Sequence, residues 1–136
     1  MGSIVLDSSI LLGLMDTGDA HHAAAARRVI DHTAAGGLFT LPAIVLAEIL
    51  VGEARRGHPA VQKRHQQVDT MFGPVRPVDE KVALEAARLR AKHRSLRMPD
   101  ALVIATGIVD KAEAILTADK RWEVVDKRVE VLRSDP

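Results

Sequence analysis

Short apolar runs alternate with longer amphipathic segments along the whole chain. A short apolar run bounded by glycine, proline or small polar residues is typical of a buried β-strand. Such runs predict strands at residues 4–7, 38–41, 114–117 and 129–132. Residues 74–78 predict a further brief strand, which its two prolines restrict to an edge of the sheet.

The segments between these runs carry the start and stop signals of α-helices. Helices are predicted over residues 10–15, 20–35, 42–56, 60–72, 80–93 and 99–112, and a short turn or helix over 119–122. Gly57 and Pro59 separate two of these helices, and Asp79 caps another. Alternating strands and helices predict an α/β fold with a mainly parallel central sheet. With 136 residues, no internal repeat and no linker, we expect a single domain over residues 1–136.

The helix that begins near Pro99 combines an apolar body with one charge at its start. Nearly every residue from Ala101 to Val109 is apolar or small, which predicts a helix buried on most sides. Asp100 lies in the first turn, where the helix dipole favours a negative charge. Taken alone, Asp100 can be explained as an ordinary helix-start carboxylate.

Two further acids directly follow predicted strands. Asp7 ends the first strand, and Asp119 follows the strand over 114–117. In open α/β sheets, ligands bind in a crevice at the carboxyl ends of the strands. The positions of Asp7 and Asp119 are therefore those that a binding or catalytic site requires.

Glu48 interrupts the apolar stripe of its predicted helix. Its neighbours three and four residues away are Ile44, Val45, Val51 and Gly52. A carboxylate in such a stripe is either buried or at the floor of a cleft, and an unpaired buried charge is costly. Glu48 therefore needs an arginine, a set of N–H donors or a cation, and a structural salt bridge remains an alternative to a functional site.

Considered together, these four acids point to a cation. Asp7, Glu48, Asp100 and Asp119 all border apolar runs, whereas most other acidic residues lie among polar ones. Converging carboxylates repel one another unless a cation neutralises them. Because the chain has no cysteine and no pair of histidines at ligand spacing, the oxygen donors favour Mg²⁺ or Mn²⁺ over zinc.

Composition narrows the class of protein. The absence of cysteine, of an evident secretory signal and of an apolar run long enough to cross a bilayer predicts a cytoplasmic protein with no membrane partner. A net charge of +1 means that any nucleic-acid contact must come from local basic patches. With only Phe39, Phe72 and Trp122 as aromatic residues, a base-stacking platform is disfavoured, and Trp122 is expected to pack in the core.

Four motifs in order resemble the PIN-domain nucleases and, more narrowly, the VapC toxins of bacterial toxin–antitoxin pairs. They are Ile-Val-Leu-Asp-Ser-Ser at 4–9, Leu-Ala-Glu-Ile-Leu at 46–50, Pro-Asp-Ala-Leu-Val-Ile-Ala-Thr-Gly at 99–107 and Leu-Thr-Ala-Asp-Lys-Arg-Trp at 116–122. The resemblance covers essentially the whole chain. It implies a three-layer α/β/α sandwich with a short, mainly parallel central sheet.

The same resemblance implies Mg²⁺-dependent hydrolysis of phosphodiester bonds in RNA, with Mn²⁺ as a substitute and a structured RNA such as tRNA or rRNA as the target. Asp7 and Asp100 would be the main metal ligands. Glu48 and Asp119 would complete the catalytic cluster directly or through waters. Ser8 and Thr117 would orient the carboxylates. Whether one or two ions bind stays open at this stage.

Partners also follow from the resemblance. A VapB-like antitoxin is expected to cover the acidic site with a cationic side chain, and a homodimer is expected to use the apolar surface of the early helices. Basic residues near the motifs suggest a rim for RNA phosphates, with a solvated helix face as the alternative. These rim residues are Arg94, Arg97, Lys120 and Arg121.

Two other functions fit parts of the pattern. A phosphoacceptor receiver domain is also a parallel α/β domain, but it needs adjacent acids after its first strand, where Asp7 is followed by Ser8 and Ser9. A non-catalytic PIN-like module that binds RNA would keep the fold without turnover. Glycine-rich phosphate loops and a Gly-x-Ser-x-Gly nucleophile turn are absent from the sequence.

Overall fold

The structure, a computed structural model, describes residues 2–134. Its strands are β1 (Ser3–Leu6), β2 (Leu38–Thr40), β3 (Ala114–Thr117) and β4 (Val129–Val131). Its helices are α1 (Ser8–Met15), α2 (His22–Ala34), α3 (Ala43–Ile49), α4 (Val51–Arg56), α5 (His58–Phe72), α6 (Glu80–Lys92) and α7 (Met98–Val109). A short 3-10 helix, Lys120–Val124, lies between β3 and β4.

The four strands form one parallel sheet in the order β2-β1-β3-β4. The two central strands are apolar and almost fully buried because helices cover both faces of the sheet. Side chains alternate between the faces. Val5 and Ile115 join the larger apolar cluster with α3, α6 and α7, whereas Ile4, Leu6 and Leu116 join a second cluster with α1 and α2. The predicted α/β/α sandwich with a parallel sheet is confirmed.

Helix α7 lies directly against the sheet. Its residues from Val103 to Gly107 are buried, and a Cβ atom at Gly107 would overlap the side chain of Ile115 in β3. This close approach places the N-terminal turn of α7, which contains Asp100, beside the carboxyl ends of the central strands. Trp122, expected in the core, is 2% exposed and belongs to the larger cluster.

The predicted strand over residues 74–78 is wrong. Only Arg76 pairs there, through one parallel bridge to Pro42. The Arg76 N–H donates to the Leu41 carbonyl at 2.7 Å, and the Arg76 carbonyl accepts from the Ala43 N–H at 2.9 Å. Pro74 and Pro77 on either side have no N–H, so a longer ladder cannot form.

Two helix boundaries also differ from the prediction. The helix expected over 42–56 divides at Leu50 into α3 and α4. Pro59, expected to break the chain, instead lies in the first turn of α5. A proline is tolerated there because the N–H groups of a first turn have no partner within the helix. Within residues 2–134, no helix is both long and apolar enough to cross a membrane.

Candidate functional site

The candidate site lies where the two central strands end. Leu6 and Leu116 are partners in the register of β1 and β3, and the Asp7 N–H continues the ladder to the Leu116 carbonyl at 3.0 Å. Asp7 then caps α1, since Ser8 N–H donates to its side chain. The fold thus brings Asp7 next to Thr117, which lies 110 residues away in the sequence.

Asp7 is a buried carboxylate, 6% exposed, held by three donors. Its Oδ1 accepts from the Ser8 N–H at 2.8 Å, and its Oδ2 accepts from Ser9 Oγ at 2.9 Å and Thr117 Oγ1 at 2.8 Å. Burial raises the pKa of Asp7 above its ordinary value, although these hydrogen bonds oppose the shift. The charge of Asp100 raises the pKa further, which indicates that the two acids share one electrostatic environment.

Glu48, partly buried on α3, completes a group of three mutually repelling acids. Burial raises the pKa of Glu48, and repulsion from Asp7 and then Asp100 raises it further. The Ser8 side chain hydrogen-bonds Glu48, and the nearby Arg97 charge also opposes the shift. The sequence predicted that the charge of Glu48 needs a partner. In the structure, Ser8 and Arg97 neutralise this charge only in part.

Asp100 and Asp119 differ from these two acids because each has an arginine partner. Arg97 Nε lies 3.5 Å from Asp100 Oδ2. Arg121 contacts both oxygens of Asp119, with Nε 3.0 Å from Oδ1 and an Nη atom 2.7 Å from Oδ2. The pKa of Asp119 lies below its ordinary value, chiefly because Arg121 donates to it. One cleft of about 90 Å³ is lined by both acids, both arginines and Trp122.

A family model shows where this architecture belongs. The model of the PIN domain matches residues 4–128, a range that contains all four acids. The chain belongs to the PIN domain family. A comparison with curated protein sequences finds no significant match.

Solved structures share this PIN fold over nearly the full chain. VapBC2 from Rickettsia felis, bound to a DNA fragment from its promoter, has a TM-score of 0.75 at 14% identity and covers 96% of this chain and 99% of its own. A toxin–antitoxin complex from Klebsiella pneumoniae has a TM-score of 0.71 at 17% identity, with coverages of 97% and 99%. VapC20 from Mycobacterium tuberculosis, a sarcin–ricin loop cleaving toxin, has a TM-score of 0.68 at 23% identity, with coverages of 89% and 93%.

Ser9 is the residue of this PIN domain that sequence reasoning missed. The side chain of Ser8, which was expected to orient carboxylates, hydrogen-bonds Glu48, whereas the unpredicted Ser9 donates its hydroxyl to Asp7. Ser9 Oγ also accepts from the Ala118 N–H at 3.0 Å, which ties α1 to the end of β3. The available signal was helical geometry, because the first two residues of α1 point to different sides.

The four residues of the predicted basic rim lie in different places. Arg97 and Arg121 lie in the cleft and contact acids, as described above. Lys120 lines a second cleft of about 610 Å³, which also includes Asp119, His21 and Arg133. Arg94 is exposed and, within residues 2–134, is not part of the lining of either cleft.

The donor chemistry of this PIN site fits a hard divalent cation. Its four acids offer only oxygen, and Asp7 and Glu48 have no arginine close enough to form an ion pair within the described chain. Among residues 2–134, however, no three histidine, aspartate or glutamate side chains are already arranged to hold a metal ion. The side chains of Asp100 and Asp119 each contact an arginine. The ligand assignment therefore stays a prediction.

Proposed function

We propose that this PIN domain is a VapC-type endoribonuclease toxin that depends on Mg²⁺ or Mn²⁺ and hydrolyses phosphodiester bonds in RNA. The observation that carries the proposal is the convergence of Asp7, Glu48 and Asp100 at the ends of the central strands, where burial first, and mutual repulsion in addition, raises the pKa of Asp7 and Glu48. A protein gains nothing structural from such repulsion. A site that recruits a cation explains it.

In this proposal Asp7 and Asp100 are the main ligands, and Glu48 and Asp119 complete the set. The hydroxyls of Ser9 and Thr117 hold the Asp7 carboxylate in one orientation, as outer hydrogen bonds do in metal sites. When bound, the cation would supply Lewis-acid stabilisation of charge on the phosphodiester and make water acidic enough to attack.

A structured RNA such as tRNA or rRNA is the proposed substrate. The relative from Mycobacterium tuberculosis is named for cleavage of the sarcin–ricin loop, which supports an RNA target for this chain. Basic side chains on both sides of Asp119, including Lys120 and Arg121, would contact phosphates. We expect the protein to act in the cytoplasm.

We also propose that a VapB-like antitoxin and a second copy of this chain are partners. Relatives with the same fold were solved as toxin–antitoxin complexes. A cleft of about 400 Å³ beside Glu48 exposes Leu12 and Val51, with Met15 at its wall. Such an apolar surface next to an acidic site suits a segment that carries an apolar anchor and one cationic side chain.

The activity is tested by incubating purified, partner-free protein with tRNA and total RNA in Mg²⁺ or Mn²⁺. The wild type is expected to produce discrete fragments. No fragments are expected when chelator is added, or from the Asp7→Asn and Asp100→Asn variants. Asp69→Asn, which neutralises an exposed acid on α5, is the matched control and should cleave normally. RNA binding without any cleavage would contradict the enzyme and favour a binding-only PIN module.

The partners have separate tests. Light scattering coupled to gel filtration should give a dimer mass for the partner-free protein, and a monodisperse monomer at high concentration would contradict the homodimer. Co-expression with a VapB-like antitoxin that binds this chain should yield a complex that no longer cleaves RNA. A complex with full activity would contradict neutralisation at the acidic site.

A further inference from the structure

The cleft at Asp119 contains two exposed arginines whose guanidinium groups pair with acids of the site. Arg121 forms a two-point contact with Asp119, and its backbone N–H donates to Oδ1 of the same carboxylate at 2.9 Å. Both oxygens of Asp119 are therefore already engaged by Arg121. A cation cannot be ligated by both oxygens while this contact lasts.

Arg97 has the corresponding position at Asp100. It immediately precedes α7, and Asp100 lies in the first turn of that helix, so the pair is local in sequence as well as in space. The charge of Arg97 also lowers the pKa of Glu48 and Asp119, and Arg121 is attracted to Asp100. The two arginines thus act on the whole acidic group, each with one direct contact.

Both arginines can leave at little cost. Their side chains are 69% and 80% exposed, respectively, so little packing holds either of them in place. Exposed ion pairs are weak because water screens them and the long side chains lose freedom on pairing. Arg64 differs: it is 30% exposed and pairs with the buried Glu53.

We propose that Arg97 and Arg121 are built-in counter-cations of this site: they neutralise Asp100 and Asp119 before metal binds, are displaced by the divalent cation, and then contact the phosphates of the substrate. This inference rests on the proposed metal-dependent function. Two singly charged guanidinium groups leave the carboxylates as one doubly charged ion arrives. The positive charge in direct contact with the carboxylates therefore stays the same. Metal binding thereby releases two guanidinium groups at the place where a phosphodiester enters.

Metal affinity is the primary test. Titration calorimetry with Mn²⁺ on the partner-free protein should show tighter binding for Arg97→Gln and Arg121→Gln, by about two- to fivefold each. The double variant should combine both gains. Circular dichroism confirms that each variant is folded.

Lys120→Gln and Arg88→Gln are the matched controls. Lys120→Gln removes the same charge as Arg121→Gln at the adjoining position, but Lys120 makes no ion pair within residues 2–134. Arg88→Gln removes an arginine that pairs with Glu85 on α6, away from the site. Both should change Mn²⁺ affinity less than Arg121→Gln does. Equal tightening by Lys120→Gln would overturn displacement, because general electrostatics would then account for the effect.

RNA affinity supplies a second readout with the opposite sign. With Mn²⁺ present, the double variant should bind an RNA oligonucleotide that stays uncleaved more weakly, with a salt slope reduced by about 1.4–1.8 for the two lost phosphate contacts. Unchanged Mn²⁺ affinity in both single variants would overturn this inference and leave the proposed function standing. Failure of the wild type to bind Mn²⁺ at all would overturn both.

Discussion

Thr117 Oγ1 donates a buried hydrogen bond of 2.8 Å to Oδ2 of Asp7, and it also accepts from the Asp119 N–H at 3.1 Å. One hydroxyl at the end of β3 therefore joins an acid at the end of β1 to the acid that follows β3. Because Thr117 is 0% exposed, solvent water does not reach its hydroxyl. The geometry of two candidate ligands depends on this side chain.

Thr117→Val should weaken both the fold and the metal site. Valine keeps the shape but leaves Asp7 with one fewer donor, and loss of a hydrogen bond to a buried charge costs about 2 kcal/mol. The pKa of Asp7 should rise further, because the hydrogen bond from Thr117 lowers it. Urea denaturation at pH 7 measures the first effect, and Mn²⁺ titration should show about tenfold weaker binding.

Thr117→Ser is the matched control, since it keeps the hydroxyl and removes one methyl group. Its metal affinity should stay close to that of the wild type. If valine and serine weaken Mn²⁺ binding equally, the hydroxyl does not orient Asp7.

Asp7→Asn should make the metal-free protein lose less stability than the wild type as the pH rises from 4 to 7. Burial raises the pKa of Asp7, so its protonated form contributes stability that is complete below the unfolded pKa of about 3.9 and is lost as the pH rises through the folded pKa. The free energy of unfolding of the variant, relative to that of the wild type, should therefore increase from pH 4 toward pH 7. Denaturation in chelator across this range measures it, with Asp69→Asn as the control. A difference in free energy of unfolding that does not change with pH would contradict a raised pKa of Asp7.

Gly107→Ala should destabilise the protein by about 1–3 kcal/mol. The added Cβ would overlap Cγ1 and Cδ1 of Ile115, which is 0% exposed and cannot move aside freely. Gly52→Ala is the matched helical control: nothing lies within 4 Å of its Cβ position, so it should stabilise by about 0.5–1 kcal/mol. Thermal denaturation of the two variants should therefore shift in opposite directions, and equal shifts would contradict the close packing of α7 on β3.

Arg76→Lys should lower the free energy of unfolding by about 1 kcal/mol. Arg76 makes a two-point contact with Asp110 at 3.0 and 2.9 Å and also contacts Asp79 at 3.0 Å, and lysine cannot reproduce this fork. Arg88→Lys is the control, because its pair with Glu85 lies on the surface of one helix. It should change stability by less than about 0.5 kcal/mol. Similar losses in both variants would show that the Arg76 network contributes no more than a surface pair.

Much of the fold follows from local patterns. The apolar runs at β1 and β3 and the helix start at Pro99 are properties of a few adjacent residues, and periodicity and capping read them directly. These patterns placed Asp7 and Asp119 at strand ends and Asp100 in the first turn of a helix. These predicted positions agree with the structure because burial of an apolar strand or helix fixes where that element ends.

The tertiary structure decided how each acid is neutralised. Asp7 receives hydroxyls from Ser9 and from Thr117, 110 residues away, whereas Asp119 receives an arginine that sequence reasoning had assigned to RNA. It also reduced the strand at 74–78 to one bridge at Arg76. Hydrophobic pattern is set by neighbours along the chain, but charge pairing and burial depend on distances of a few ångströms between segments that only the packed fold brings together.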